Sequence, residues 1–445
     1  MSFKTILLGA AAVAVVSSPA MARETVEQRL ERMEQIIHDQ QQEISDLKSQ
    51  QQQQAAAPAP AAEEVAEQPA SQADVEALQN QVYEQAAANK SGWWSSTKIS
   101  GRMYYDVTNV NSVSRGLPSG SNPSGHTYDP ANGVNFDIKR FYLGVDHTFD
   151  DIFSANLTTD FTYDSSTKAS QIYLKKAYLQ AKLDDALTFR LGATDLPWIP
   201  FVEDVYGYRY IENTLIDRTK YGTSSDWGVH VLGKLAGGLL NYQISAVNGA
   251  GYKASPTNPA NRSQGIDVEG RVNLNYDGFI LALGGYHGQL GKNVKKANPT
   301  LADTTTNTAN RLDVLGAYQA DAIRFGVEYF YTDDWNSVTS TTSSDNARGV
   351  SVFGSYQFDP QWGVFGRYDW VNPTVKNLAG VQTSDVKDKY FNVGISYSPA
   401  KIVDFALVYK HEQTDGGTIG TSNGTIGGAV DGNYNEIGLF GQFRW

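Results

Sequence analysis

From about Trp94 to Trp445, apolar and polar residues alternate with period two in one segment after another. In the clearest, Phe153, Ala155, Leu157, Thr159, Phe161 and Tyr163 interleave with Ser154, Asn156, Thr158, Asp160 and Thr162. Ile266 to Tyr276 and Ile323 to Thr332 repeat the pattern. This period puts the two sets on opposite faces of a strand. Sixteen strands are predicted, near 97–108, 134–147, 152–163, 171–183, 187–195, 225–235, 239–248, 265–276, 279–289, 310–319, 322–332, 347–358, 361–371, 389–398, 403–412 and 434–445. Most are about ten residues long, the length of a tilted strand that crosses a bilayer. The last one sets Ile437, Leu439, Gly441, Phe443 and Trp445 against Glu436, Gly438, Gln442 and Arg444, with Phe440 as a large apolar intruder on the polar face. Left open, such an edge invites aggregation, whereas closing a barrel removes it. A sandwich edge strand is the competing reading.

The connections support the barrel. Short links (147–152, 184–185, 236–238, 277–278, 320–321, 359–360, 398–402) interleave with longer ones at 109–133, 164–170, 196–224, 249–264, 290–309, 333–346, 372–388 and 413–433. Barrels of the outer membrane have short turns at one end, long loops at the other and an even strand number. A sandwich has no reason to keep that alternation. The expected fold is therefore all-β, a 16-stranded antiparallel transmembrane β-barrel over residues 93–445; a miscounted hairpin would make it fourteen or eighteen. On one strand Trp362 and Trp370 share the outward face with Val364 and Tyr368. Their spacing covers about 20 Å of the membrane normal, which fits an aromatic girdle at each interface.

The remainder reads differently. Residues 1–22 have the Lys4 n-region, the apolar run Ile6–Val16 and the Ala20-Met21-Ala22 site of a signal peptide. Its removal would change the formal charge from −12 to −13 by loss of Lys4. Within 23–49, Val26, Leu30, Met33, Ile37, Gln40, Ile44 and Leu47 follow a heptad seam, which predicts an α-helical coiled coil with one polar core position; a single solvated helix is the alternative. Residues 50–92 are rich in Gln, Ala, Pro and Glu and read as a flexible linker with a weak helical patch at Val75, Leu78 and Val82.

Composition adds limits. Mean hydropathy is −0.39 despite 25 Tyr, 18 Phe and 8 Trp, as expected where each strand is half lipid-facing and half water-facing. The chain has no cysteine, so there is neither a disulfide scaffold nor a thiolate metal site. The acidic balance argues against a nucleic-acid partner. The six histidines form no ligand-spaced pair, and no Ser-His-Asp arrangement is legible, so neither an enzyme nor a cofactor or metal is expected.

Function would then lie on the water-facing positions. By parity these carry thirteen basic and twelve acidic residues, among them Arg102, Arg140, Asp160, Lys176, Arg190, Arg271, Arg324 and Arg367 as pore-lining candidates. So even a count sets no charge preference, although segregation of the two signs across the lumen would create a transverse field. For any single residue, a solvated and self-paired lining is the plainer reading. The longest connection, 196–224, mixes Trp198, Ile199, Phe201, Val205, Tyr206, Tyr208, Tyr210, Ile211 and Leu215 with charges. Too apolar for bulk water, it is expected to fold into the lumen as the constriction, with Glu203, Asp204, Arg209, Glu212, Asp217 and Arg218 facing the wall. Packing against a neighbouring subunit is the other option.

The runs Asp137–Val145, Lys176–Leu179 and Leu187–Pro197 resemble strands of the phosphate-selective porins O and P, with Arg140 and Arg190 at matched positions. Where that family's second strand often has further arginines, this chain has Lys139 and Tyr142. The coiled-coil start is similar to that of some sugar-specific porins, and Phe443 with Trp445 looks like the terminal signal read by the barrel-assembly machinery. The resemblance implies a homotrimeric porin in the outer membrane of a Gram-negative bacterium, with lipid around it and the coiled coil in the periplasm. It would pass small hydrophilic solutes or anions by diffusion. A sugar-selective porin and a structural outer-membrane tether are the alternatives.

Overall fold

The computed structural model describes residues 92–116, 126–128, 132–164, 169–254, 263, 265–292 and 307–445. The expected signal peptide, the coiled coil and the linker up to residue 91 lie outside the described residues. A short 3-10 turn, Trp93–Ser96, leads into sixteen long strands. They are β1 (Thr97–Arg115), β2 (Gly133–Thr148), β3 (Phe153–Asp164), β4 (Ala169–Lys182), β5 (Thr188–Asp195), β6 (Ser225–Leu235), β7 (Leu240–Val247), β8 (Asp267–Tyr276), β9 (Phe279–Gly288), β10 (Ala309–Gln319), β11 (Ile323–Asp333), β12 (Ser343–Gln357), β13 (Trp362–Asn377), β14 (Lys387–Ala400), β15 (Val403–Asp415) and β16 (Asp431–Arg444). Each lies where the alternation put it, and each pairs antiparallel with its neighbours in the chain. The seam pairs β1 with β16 from Arg102↔Arg444 to Arg115↔Asp431, so the sheet is a closed barrel. Trp445 continues past the seam and lays its indole against the Phe141 ring, 5.8 Å between centroids.

Seven connections of two to five residues gather at one end, here called the turn end. Asp277 and Gly278 form the tightest, with φ of 47° and 81°. Two consecutive positive φ values define the hairpin turn that matches strand twist, and Asp-Gly is a favoured pair there. The other connections are at the loop end. Several are shorter than expected because the strands beside them extend further than their alternation shows; between β3 and β4 only residues 165–168 remain.

The outside of the barrel is apolar. Val229, Val272, Leu281, Leu283, Val352, Val393, Leu407 and Leu439 are all exposed there. Aromatic pairs ring the turn end: Trp362 with Tyr397, Phe279 with Tyr318 and Phe405 with Phe443. A continuous band of this kind suits hydrocarbon and not water. None of the described helices is long and apolar enough to cross a membrane.

Inside, the alternation breaks twice. Tyr104 pairs with Arg140 and Tyr105 with Ile138, so Lys139 is an extra residue; Thr158 pairs with Lys176 and Thr159 with Leu174, so Lys175 is another. At a β-bulge two residues oppose one, and both can point to the same face. Segment 196–224 folds into the lumen and carries two helices, α1 (Ile199–Tyr206) and α2 (Leu215–Arg218). Its apolar residues Trp198, Val202, Val205, Leu215 and Ile216 pack with Tyr286, Leu315, Phe330 and Phe353 of the β9–β12 wall. Phe440 also finds its reason here. It points inward, fully buried among Tyr104, Tyr210, Ile211 and Phe365, with the Lys410 and Lys139 ammonium groups 4.4 and 4.8 Å from its ring centre.

Leu439 faces outward midway along β16. In phospholipid vesicles, Leu439→Arg should lower the urea-unfolding free energy by roughly 2–4 kcal/mol, while arginine at the inward Gln442 should cost far less.

Candidate functional site: the lumen around the inserted loop

The loop divides the lumen into an anchored side and an open side. On the anchored side the wall supplies charged and amide groups that hold the loop backbone. Arg367 donates to Asn213 O at 2.5 Å, Lys410 to Ile211 O at 3.0 Å, Arg311 to Tyr221 O at 2.8 Å and Gln319 to Val205 O at 3.1 Å. Trp198, where the loop enters, donates its backbone N–H to Glu269 at 3.0 Å and its indole N–H to Glu328 at 2.8 Å. Gly207 ends α1 with φ of 78°, and a Cβ there would overlap the Arg324 guanidinium. The left-handed φ favours glycine, and the missing Cβ leaves room for that guanidinium.

Arg218 forms the deepest anchor. Its three guanidinium nitrogens donate to Asp369 on β13 (2.9 Å), Asp388 on β14 (2.8 Å) and Glu412 on β15 (2.7 Å), and all four side chains have 0% exposure. Arg367 shares Asp369 at 2.6 Å. Glu212 is similarly held, with Lys410 at 3.3 Å and Ser422 Oγ at 2.6 Å. Burial alone would raise the Glu212 carboxyl, but the Lys410 and Lys139 ammonium groups outweigh it and hold the group well below its ordinary range. A carboxyl depressed by folding stabilises above its unfolded value, so this anchor is intact at neutral pH and weakens only in strong acid.

The open side is walled by β1–β8. Arg140 reaches Asp160 at 3.2 Å, and Tyr173 donates to the same carboxylate at 2.9 Å. Lys176 pairs with Asp195. Lys175 has no carboxylate within ion-pair distance among the described residues; its ammonium lies 4.7 Å from the Tyr142 ring centre, with Tyr252 beyond. Lys253 sits over Tyr173 at 4.9 Å. Arg190 donates to Gln180 at 2.9 Å, and Arg271 stacks on Phe201 of α1 at 3.9 Å. Facing this wall, the loop presents Arg209 bound to Glu203 (2.5 Å) and Asp217 (3.4 Å), with Asp204 exposed beside them. Two cavities of about 460 and 590 Å³ open here toward the turn end. The first lies between Arg102, Tyr142, Lys175 and Glu203, the second between Arg190, Arg271, Phe201 and Asp204.

The two sides differ in charge. Arg102, Arg140, Lys175, Lys176, Arg190, Arg209, Lys253 and Arg271 surround the open side against Asp160, Asp195, Glu203, Asp204 and Asp217, eight cations to five carboxylates, while Asp226 and Asp267 of the same wall are buried against loop amides. The anchored side holds Lys139, Arg218, Arg311, Arg367 and Lys410 with Asp106, Glu212, Glu269, Asp313, Glu328, Asp369, Asp388, Glu412 and Glu436, five to nine. The near-even count along the strands thus hides a segregation, with the excess of carboxylates sealed behind the loop.

Of the candidates read from sequence, Arg102, Arg140, Lys176, Arg190 and Arg271 gather on the open side, and Asp160 is there as the buried partner of Arg140. Glu203, Asp204, Arg209 and Asp217 face them. Arg324 sits at the turn end beneath Gly207. Arg367, Arg218 and Glu212 are buried on the anchored side: Arg218 and Glu212 meet the charges of the wall directly, and the loop covers Arg367, which was expected to line the pore. Parity missed Lys139 and Lys175, since each lies in a bulge. The doublets Lys139-Arg140 and Lys175-Lys176 were the available signal: two adjacent charges in an alternating strand conflict with a lipid-facing side.

No family model matches this chain, and no curated protein matches it. Solved structures do share its fold. The outer membrane channel DcaP of Acinetobacter baumannii superposes with TM-score 0.51 at 15% identity, over 78% of this chain and 97% of that one. OmpT of Vibrio cholerae in its trimer form gives 0.50 at 14%, over 78% and 99%. The anion-selective porin from Comamonas acidovorans gives 0.50 at 12%, over 79% and 99%. At such identities the likeness is one of fold: this barrel is built as outer-membrane porins are.

Removing Arg218 would leave three buried carboxylates around one remaining guanidinium, that of Arg367. Loss of one partner from a buried ion network costs about 3–5 kcal/mol. Arg218→Ala should therefore expose residues 209–221 to limited proteolysis while the strands stay protected.

Proposed function

We propose that the chain is a passive diffusion channel of an outer membrane, constricted by the loop 196–224 and favouring small hydrophilic anions. The observation that carries this reading is the charge segregation across the loop. A solute on the open side meets an excess of cations, and the low-dielectric anchored side, where neutralisation is least complete, is covered. Positive potential focused in a narrow aqueous path raises local anion concentration and rejects cations. Because Arg140, Lys176 and Arg209 are each tied to a carboxylate, the preference is expected to be moderate, with Lys175 and Lys253 contributing most. The short-turn end would face the periplasm, as in barrels of this architecture, with the N-terminal region on that side. Assembly as a homotrimer is part of the same proposal, supported by the fold shared with OmpT in its trimer form.

Current through planar bilayers under a salt gradient tests this. The wild-type chain should give stable conductance with a reversal potential on the anion side. Lys175→Glu combined with Lys253→Glu should move that potential to the cation side, with conductance within about twofold. Absence of any conductance, or cation preference in the wild type, would overturn the reading. Titration with phosphate and with maltodextrins should give weak block by phosphate and none by the neutral sugar.

A further inference from the structure

The channel reading makes no use of the hairpin formed by Thr418–Thr421 and Gly424–Gly427, which lies outside the barrel sheet. It hangs from the last long connection and turns inward at the loop end. Ile419 and Ile426 are buried in the same apolar cluster as Leu215 and Ile216 of α2. At its tip the Ser422 backbone N–H donates to Arg218 O at 2.8 Å, and the Ser422 hydroxyl donates to Glu212 at 2.6 Å. Asn423 donates its side-chain amide to Glu412 at 3.0 Å. Each of these partners already belongs to a wall anchor: Arg218 and Glu412 bind each other, and Glu212 binds Lys410. Hairpin and wall therefore grip residues 211–218 from two directions. The free edge of that stretch is Asp217, which holds Arg209 and lies in the field of Arg140 and Lys175.

We propose that the hairpin Thr418–Gly427 is a clasp that steadies the constriction from the loop end, with Arg218 as the positioning residue through which it acts. The proposal rests on the channel reading, since it concerns the same loop. The two grips differ in kind. The wall grip is a network of buried charges, and opening it strands carboxylates without partners. The hairpin grip is made of two hydroxyl or amide donors, one backbone bond and two isoleucines, so it can loosen without such a penalty. If it loosens, Glu212 keeps Lys410 and Glu412 keeps Arg218; the loop stays in place on average but fluctuates. What the hairpin controls is the steadiness of the Arg209–Asp217 edge. Any ligand or antibody that engages the hairpin from outside would then act on the passage.

The test uses the full chain reconstituted in planar bilayers. Ser422→Ala combined with Asn423→Ala should raise open-channel current noise and the frequency of sub-conductance events at least fivefold, with little change in reversal potential. Arg218→Lys, which keeps the charge but cannot reach three carboxylates, should do the same. Thr425→Ala, at an exposed position of the hairpin, should change neither. Hydrogen exchange at the amides of Thr219 and Tyr221, bonded to Leu215 O and Ile216 O, gives a readout independent of current. It should quicken at least fivefold in the Ser422/Asn423 variant and not in Thr425→Ala. Noise, sub-conductance and exchange all equal to wild type in that variant would overturn the clasp. A wild type that passes no current, with exchange still quickened in the variant, would overturn the channel reading and leave the clasp standing.

Discussion

The rest of this molecule depends on the closure of its sheet. A strand that is apolar on one face and polar on the other leaves its backbone groups unpaired at any edge, and in hydrocarbon an unpaired N–H or C=O is prohibitive. Sixteen strands satisfy one another only when β1 meets β16, and the seam runs fourteen residues of β1 against β16, from Arg102 to Arg115. Closure at this strand number has a consequence inside. Side chains from the wall cannot fill a lumen this wide, so a covalently attached segment must, and the amphipathic stretch 196–224 does so.

Insertion of that stretch explains the odd distribution of charge. A loop laid against the wall must satisfy its carbonyls without water, and the wall answers with Arg311, Arg367, Lys410 and Gln319. Arg311, Arg367 and Lys410 need counter-charges, and the loop supplies one more cation, Arg218, to a socket of three carboxylates. The network is costly to bury and costlier to break, which favours a single position for the loop. On the proposed channel reading this has a by-product: carboxylates absorbed there are removed from the open side, where Lys175 and its neighbouring cations are left in excess. The charges that fix the loop are thus different from those left open to the lumen.

How much of this was legible in the chain varies with the range of the interaction. Strand positions and the alternation of turns and loops came from period two and from turn residues such as Asp277-Gly278, both local properties. The inserted loop was legible because its composition is unsuited to water. The aromatic ring at Phe440 broke the pattern of the last strand, and the lumen shows why: it is packed beneath the loop between two lysines.

What the sequence by itself determined is therefore the closed barrel and the identity of the segment that enters it, because hydrophobic periodicity and the need to pair every backbone group act strand by strand. Only the tertiary structure decided which charges stay open to the lumen. Arg367, Arg218 and Glu212 look the same along the chain as Arg140 and Arg209, yet the first three are sealed and the last two are not. The side on which the loop lies depends on side chains far apart in sequence, on Trp198 with Glu328 and Arg218 with Asp388, and the two bulges that turn Lys139 and Lys175 inward depend on register with a neighbouring strand. No period along the chain records either.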